Sequence, residues 1–227
     1  MKNMDTVYGF AGHSIIPALA LIHSNVASRY VFMFTEELEV NRSIFEAYLE
    51  QKAWEDKAPE ISLRTIGSIG DFSNNYKQIQ QIIDTNQSFG LFLQNGAKQL
   101  ILATILQYPD APRIYLEEPF TLKKYVRLNF QSERIVTLSP KEAIQARGVA
   151  LDDALLENTT VEFDERGRIQ FTKAMKKLTE SDVNSIVQLI GKFGRNGAVY
   201  RLDYRYASRR IRNTVPPFVI CLQEEEE

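Results

Sequence analysis

The stretch Leu91-Phe92-Leu93-Gln94-Asn95-Gly96-Ala97-Lys98-Gln99-Leu100 decides the fold class. An apolar run ends in a polar turn that contains a glycine, and residues 99–107 then follow a helical pattern. This order predicts a buried strand, a tight turn and a helix with Lys98 in its first turn. Backbone N–H groups, the helix dipole and the ammonium group all favour negative charge there. The stretch indicates a site for an anion or a nucleotide, although many glycine turns in α/β proteins bind nothing.

The same alternation of apolar runs and helical patterns fills the first half of the chain. Strands are predicted at residues 6–10, 30–34, 61–66, 89–93 and 113–116. Helices are predicted at residues 15–23, 38–54, 76–84 and 99–107. Ser14 is the expected N-cap of the first helix. Continuous apolar strands that alternate with helices indicate an α/β fold, with a mainly parallel sheet covered by helices on both faces.

The composition limits the possible classes of protein. The chain has 227 residues, of which 44% are hydrophobic and 25% charged, as in ordinary soluble globular proteins. Cys221 is the only cysteine, which excludes an internal disulfide and a cysteine-based metal site. No apolar run is long enough to span a bilayer, and the first residues lack a signal-peptide pattern. We therefore expect a cytoplasmic protein without a metal or a resident cofactor.

Three polar segments follow the predicted strands. They are Gly12-His13-Ser14, Thr35-Glu36 and Gln94-Asn95-Gly96-Ala97-Lys98. In a parallel sheet the carboxyl ends of the strands meet at one edge, and ligands bind there, near a reversal of the strand order. We expect these ten residues to form one ligand-binding site. Ser14 has two interpretations, a helix cap or a catalytic group, and His13 is either a ligand contact or simply solvated.

The order and spacing of these segments resemble those of the CARF domain (CRISPR-associated Rossmann fold). Residues 1–150 are similar to that family, which senses cyclic oligoadenylates made in type III CRISPR immunity. The turn at 94–98 resembles the family's Thr-Gly-Gly-Thr-Lys-like turn in keeping Gly96 and Lys98, and differs at Gln94, Asn95 and Ala97. The resemblance implies a homodimer with cyclic tetra- or hexa-adenylate across its two-fold axis. Lys98 and the glycine turns would then face phosphates, and Gln94 and Asn95 would read adenine edges.

The sequence changes character after residue 116. Residues 121–130 and 133–138 resemble β segments, and a short helix is predicted from Ser139-Pro140 to Gly148. The following segments are predicted in turn as a link (150–158), a hairpin (161–163 with 168–171), helices (172–178 and 183–193) and strands (198–212 and 218–222). They predict a small α+β domain at residues 159–223.

Basic residues are concentrated in this second part. Residues 166–212 contain twelve Lys and Arg residues against three acids, a net charge of +9. The remaining residues therefore carry −11 of the chain's total of −2. Tyrosines alternate with arginines around Tyr204 and Arg205, and such a surface stacks on bases and holds phosphates. The alternatives are a solvated basic strand or a basic patch that docks on the acidic half.

Residues 171–193 and the following Val199-Tyr200-Arg201-Leu202 weakly resemble RelE-type mRNA interferases. That resemblance implies a metal-independent ribonuclease that acts on mRNA at the ribosome. Its catalytic residues would be Arg201, Tyr204, Arg205, Arg209 and Arg210.

The combined hypothesis is a type III CRISPR effector that is activated by cyclic oligoadenylate and cleaves RNA. One alternative is a ring nuclease that opens the cyclic ligand with Ser14 and Lys98. Another is a regulator that binds nucleic acid without catalysis.

Overall fold

The computed structural model describes residues 4–54, 58–94, 96–117, 120–146, 159–163, 169–175, 202–203 and 218–224. The chain divides into two compact units, Met1–Leu138 and Ser139–Glu227. The division places the short helix predicted after Ser139 in the second unit. Each unit contains one of the two sheets that the structure describes.

The described residues of the first unit form seven strands and four α-helices. The strands are β1 (Met4–Phe10), β2 (Ala27–Phe34), β3 (Glu60–Thr65), β4 (Phe89–Phe92), β5 (Arg113–Glu117), β6 (Thr121–Val126) and β7 (Asn129–Ile135). The helices are α1 (Ile16–His23), α2 (Glu39–Gln51), α3 (Phe72–Ile82) and α4 (Lys98–Gln107). A 3-10 turn, Glu36–Leu38, leads into α2.

The strand order of this sheet is β3-β2-β1-β4-β5-β6-β7. The first five strands are parallel, and β6 and β7 add an antiparallel hairpin at one side. The chain runs outward from β1 to β3 and then returns, so that β4 pairs with the other side of β1. The reversal of strand order lies between β1 and β4, where parallel sheets bind ligands.

Alternate residues of the central strands point to opposite faces, and each face is covered. Tyr8 and Phe10 of β1 belong to a buried cluster with Ile79 of α3 and Leu100 of α4. On the other face, the ring of Phe32 in β2 meets that of Phe45 in α2. The predicted α/β fold, a mainly parallel sheet with helices on both faces, is confirmed.

Two helix starts differ from the sequence-based predictions. The N-cap position of α1 is Ile15, without a side-chain cap, so Ser14 is not the cap. Pro17 lies in the first turn of α1, where its fixed φ and missing N–H are tolerated. Helix α3 begins at Phe72, earlier than predicted, because the Asp71 carboxylate accepts a hydrogen bond from the Asn74 N–H (3.2 Å).

The second unit contains the helix α5 (Pro140–Gln145) and a sheet of order β10-β11-β9-β8. Its strands are β8 (Thr159–Phe163), β9 (Ile169–Met175), β10 (Leu202–Asp203) and β11 (Phe218–Glu224). The predicted β8–β9 hairpin and the last strand are confirmed. The helix predicted from Thr172 is wrong as far as Met175, because β9 continues there between β8 and β11. The helix predicted at 183–193 lies outside the described residues.

Candidate functional site

A cavity of about 410 Å³ opens at the carboxyl edge of the first sheet. It lies beside the reversal of strand order, and loops after four parallel strands contribute to its lining. Phe10, Met33 and Leu38 form much of its apolar floor, and each is at most 7% exposed. A concave, mostly apolar cavity of a few hundred Å³ is typical of small-molecule sites.

The loop after β1 supplies one side of the cavity. Its first residue, Ala11, is buried, and the Ala11 N–H donates to the Met33 carbonyl (2.9 Å), which continues the sheet pairing. Gly12 and Ser14 are half-buried at the cavity, whereas His13 is exposed. The His13 carbonyl accepts a hydrogen bond from the Asn41 side chain of α2 (3.4 Å). The sequence therefore brings all three predicted loop residues to the cavity.

The turn between β4 and α4 completes that side. Gly96 has φ +107°, which side chains rarely adopt, and a Cβ at this position would collide with Phe10. Ala97 occupies the N-cap position of α4, and its carbonyl accepts from the Leu100 and Ile101 N–H groups. We call Gly12, Gly96 and Ala97 the glycine wall. Without bulky side chains, this wall lets a ligand come close to the backbone.

The loops after β2 and β3 contribute Thr35, Glu37 and Ile69 to the lining, and we call these three residues the carboxylate wall. The Glu37 carboxylate accepts from the Ser68 hydroxyl (2.6 Å) and from the Ile69 N–H (3.0 and 3.2 Å). It therefore ties the loop after β2 to the loop after β3. The Ser68 hydroxyl, the backbone N–H of Glu37, the Thr35 side chain and the Ile69 N–H together lower the pKa of Glu37 to about 2.

A buried asparagine supports the carboxylate wall from beneath. Asn75 is fully buried in α3 and donates its side-chain amide to the Ser68 carbonyl (2.7 Å). Gly67 makes room for it, since a Cβ at 67 would lie 2.9 Å from the Asn75 Oδ1 atom. The loop that carries Ile69 is thus fixed on both sides.

The structure brings six of the ten predicted ligand-binding residues into the cavity lining. These are Gly12, His13, Ser14, Thr35, Gly96 and Ala97. Glu36, Gln94 and Lys98 are exposed at the same edge but do not line the cavity. Gln94 instead accepts the Leu116 N–H on its side-chain oxygen (3.1 Å), which joins the turn to β5.

The other predicted site residues lie outside the described residues. They are Asn95 of the turn and the five residues predicted to be catalytic, Arg201, Tyr204, Arg205, Arg209 and Arg210. Their roles stay predictions.

Sequence reasoning missed Glu37 and Ile69. It selected Glu36, one position away, because the 3-10 turn after Thr35 was not anticipated. No residue of the loop after β3 was predicted to belong to the site. The rule that selected the other three loops applies equally to the carboxyl end of β3, and would have found Ile69.

The charge of the cavity is unusual for an anion site. Among the described residues that line it there is no lysine or arginine, and Glu37 is the one acid. The described part of the chain also contains no group of three or more His, Cys, Asp or Glu residues able to hold a metal ion. No described helix is long and apolar enough to cross a membrane. An anionic ligand here must rely on backbone N–H groups and the start of α4.

The strand order and the position of the cavity define a Rossmann-like α/β domain. Comparison with known proteins shows which solved structures share this fold. No protein-family model matches the chain, and no curated protein matches it. Protein VC1899 from Vibrio cholerae matches with a TM-score of 0.52 and 12% identity, over 71% of this chain and 41% of that one.

Two further structures match at similar levels. Can2 from Sulfobacillus thermosulfidooxidans, solved in complex with cyclic tetra-adenylate, has a TM-score of 0.50 and 14% identity over 63% of this chain and 40% of its own. A type III CRISPR defence DNA nuclease activated by cyclic oligoadenylate has a TM-score of 0.57 and 11% identity over 100% of this chain and 49% of its own. The chain spans half or less of each structure's length. The predicted Rossmann-like fold is shared with these structures, whereas the RelE resemblance receives no support.

Proposed function

We propose that the first unit binds cyclic oligoadenylate in the cavity between the glycine wall and the carboxylate wall. The observation that carries this proposal is the pair of glycine turns at the reversal of strand order. Gly12 follows β1 and Gly96 follows β4, and both line one cavity. The fold shared with Can2, whose structure contains cyclic tetra-adenylate, supports this choice among nucleotide ligands.

The phosphodiester groups of the ligand bind at the glycine wall. The first N–H groups of α4 have no carbonyl acceptor within the helix, and the helix dipole favours negative charge at this end. Gly96 permits close approach because it has no side chain. Lys98 adds a positive charge at the same end of α4 from outside the cavity.

The active form is a homodimer. A cavity of about 410 Å³ suits a part of a cyclic oligonucleotide and is too small to enclose the whole ring. A second copy that faces the first would supply two more walls related by a two-fold axis. A symmetric ring matches such an isologous arrangement.

The second unit acts on nucleic acid when the ring is bound. Its support is the excess of positive charge over residues 166–212 and the fold shared with a nuclease that cyclic oligoadenylate activates. RNA is the substrate predicted from the sequence, with Arg201, Tyr204, Arg205, Arg209 and Arg210 as the catalytic group. The nuclease with the shared fold is a DNA nuclease, so DNA is the second substrate to test.

One experiment tests these statements together. The purified chain is mixed with cyclic tetra-adenylate, cyclic hexa-adenylate or linear tetra-adenylate, and binding is measured by calorimetry. The same mixtures are incubated with mRNA, with and without ribosomes, and with DNA, and both the ring and the polymers are analysed. We expect tight binding of one ring, weaker binding of the linear form, and cleavage of a polymer only when the ring is present. If the protein binds neither ring, the sensor function is refuted.

The same assay separates the two alternatives. Ser14 lines the cavity, so a ring nuclease remains the second candidate. If the ring is opened by the wild type and by Arg209→Ala but not by Ser14→Ala, the result favours a ring nuclease. Ring-dependent nucleic-acid binding without any cleavage would favour a regulator.

A further inference from the structure

Ile69 is 46% exposed and lines the cavity, although its backbone is held by two hydrogen bonds. Its N–H donates to the Glu37 carboxylate, and its carbonyl accepts from the Gln99 side chain of α4 (3.4 Å). A large apolar side chain that is left in water on a fixed backbone gains free energy when an apolar surface covers it.

The residue before it is held in the same way. Ser68 donates its hydroxyl to Glu37 and accepts the Asn75 amide on its carbonyl. These contacts fix the loop before any ligand arrives. A ligand that packs on Ile69 therefore meets a preorganised surface and need not order the loop.

Charge decides which part of a nucleotide can lie there. Glu37 is ionised at neutral pH, so a phosphate close to the carboxylate wall would meet a like charge. The glycine wall offers backbone N–H groups and the start of α4 instead. The phosphates therefore belong at the glycine wall. The uncharged, flat base is left for the carboxylate wall, where Leu38 and Met33 extend the apolar surface.

We propose that Glu37 is a positioning residue that holds Ile69 as an apolar platform for a nucleobase of the ligand. This inference rests on the proposed binding of a cyclic oligoadenylate. It assigns the base to one wall and the phosphates to the other. Glu37 then affects the affinity for the ligand indirectly, by fixing the position of Ile69.

The hydrogen bond from the Ile69 N–H to the Glu37 carboxylate is tested first, on the full chain without ligand. Hydrogen exchange of the Ile69 amide is measured in the wild type and in Glu37→Ala, Glu37→Gln and Glu50→Ala. Glu50 is an exposed carboxylate of α2 and serves as the matched control. We expect slow exchange in the wild type, in Glu50→Ala and in Glu37→Gln, which keeps an oxygen acceptor, and about tenfold faster exchange in Glu37→Ala. Equal exchange rates in Glu37→Ala and the wild type would show that Glu37 does not hold the Ile69 backbone.

The platform is tested next, by affinity for the ring that the wild type binds. We expect Glu37→Ala and Ile69→Ala each to weaken binding about tenfold. In Glu37→Ala the ligand must order the loop that carries Ile69, and in Ile69→Ala the apolar contact itself is lost. The double variant should be no weaker than either single one, because both changes remove the same contact. Glu37→Gln should restore most of the affinity. Additive losses, or unchanged affinity in Ile69→Ala, would overturn the platform.

The two proposals fail in different ways. If the wild type binds neither ring, the sensor function is refuted and the base contact with it, while the exchange measurement still decides whether Glu37 holds Ile69. If the wild type binds and Ile69→Ala binds equally well, the sensor function stands and the platform alone is wrong.

Discussion

The two walls of the cavity are built by opposite means. The glycine wall has its shape because side chains are small or absent, and Gly96 uses a backbone conformation that other residues avoid. The carboxylate wall has its shape because Glu37 and Asn75 bind backbone groups of a neighbouring loop. The first offers bare backbone to a charged group, and the second offers a fixed apolar side chain. In the proposed placement of the ligand, the difference teaches that one small site separates the phosphate and base parts of a nucleotide without a lysine or arginine among its described lining residues.

The strongest test of this contrast is Gly96→Ala. The added Cβ would collide with Phe10, and alanine would have to adopt the positive φ of +107°. We therefore expect a loss of stability of about 1–3 kcal/mol and no measurable ring binding. Urea unfolding and calorimetry measure the two effects. Gly70→Ala is the matched control, because a Cβ at 70 meets nothing within 4 Å. Normal binding by Gly96→Ala would show that the glycine wall does not depend on close backbone approach.

Asn75→Ala removes a support of the carboxylate wall. It removes the hydrogen bond to the Ser68 carbonyl inside the core, and we expect a loss of about 1–3 kcal/mol of stability. Ring affinity should fall but remain measurable, because the glycine wall is untouched. Asn74→Ala, at an exposed neighbouring position of α3, should change stability by less than about 0.5 kcal/mol. Equal effects of the two alanines on the unfolding midpoint would contradict the support that we assign to Asn75.

The charge state of the carboxylate wall gives a smaller effect. The pKa of Glu37 is lowered to about 2, so its contribution to stability is complete above the ordinary value of 4.5 and is lost as the pH falls through about 2. We expect NMR to show that the Glu37 carboxylate stays at least about nine-tenths ionised between pH 6 and about 3. In Ser68→Ala, which removes the largest cause, the midpoint should rise toward 4.5. A wild-type midpoint near 4.5 would show that the hydrogen bonds are not maintained in solution.

The smallest effect is expected for Lys98→Ala. Lys98 is exposed at the start of α4 and lies outside the cavity lining. Its loss should weaken ring binding only about two- to fivefold at low salt, corresponding to about 0.3–1 kcal/mol, and hardly at all at high salt. Lys77→Ala, on the exposed side of α3, is the control. A loss of a hundredfold would mean that the lysine, and not the backbone, holds the phosphate.

The sequence predicts the sheet and the glycine wall better than the carboxylate wall. Apolar strands, turn glycines and the carboxyl-edge rule are properties of short segments, so β1, β4 and Gly96 follow from local patterns. Glu37 and Ile69 depend on a 3-10 turn and on contacts between loops that lie about thirty residues apart. Such contacts have no local signature. The strand at Thr172 was mistaken for a helix for the same reason, because pairing on both sides overrides local preference.

The pairing of β1 with β4 also has a consequence for folding. Thr6 of β1 pairs with Phe89 of β4, and the chain between them contains two other strands and three α-helices. Such a pairing closes a long loop, and non-local contacts of this kind slow folding. Gly12 and Gly96 follow the two strands of this central pair, and both line the cavity. A ligand held between them recognises the finished sheet alone, so its binding free energy adds to the resistance of the whole unit to unfolding.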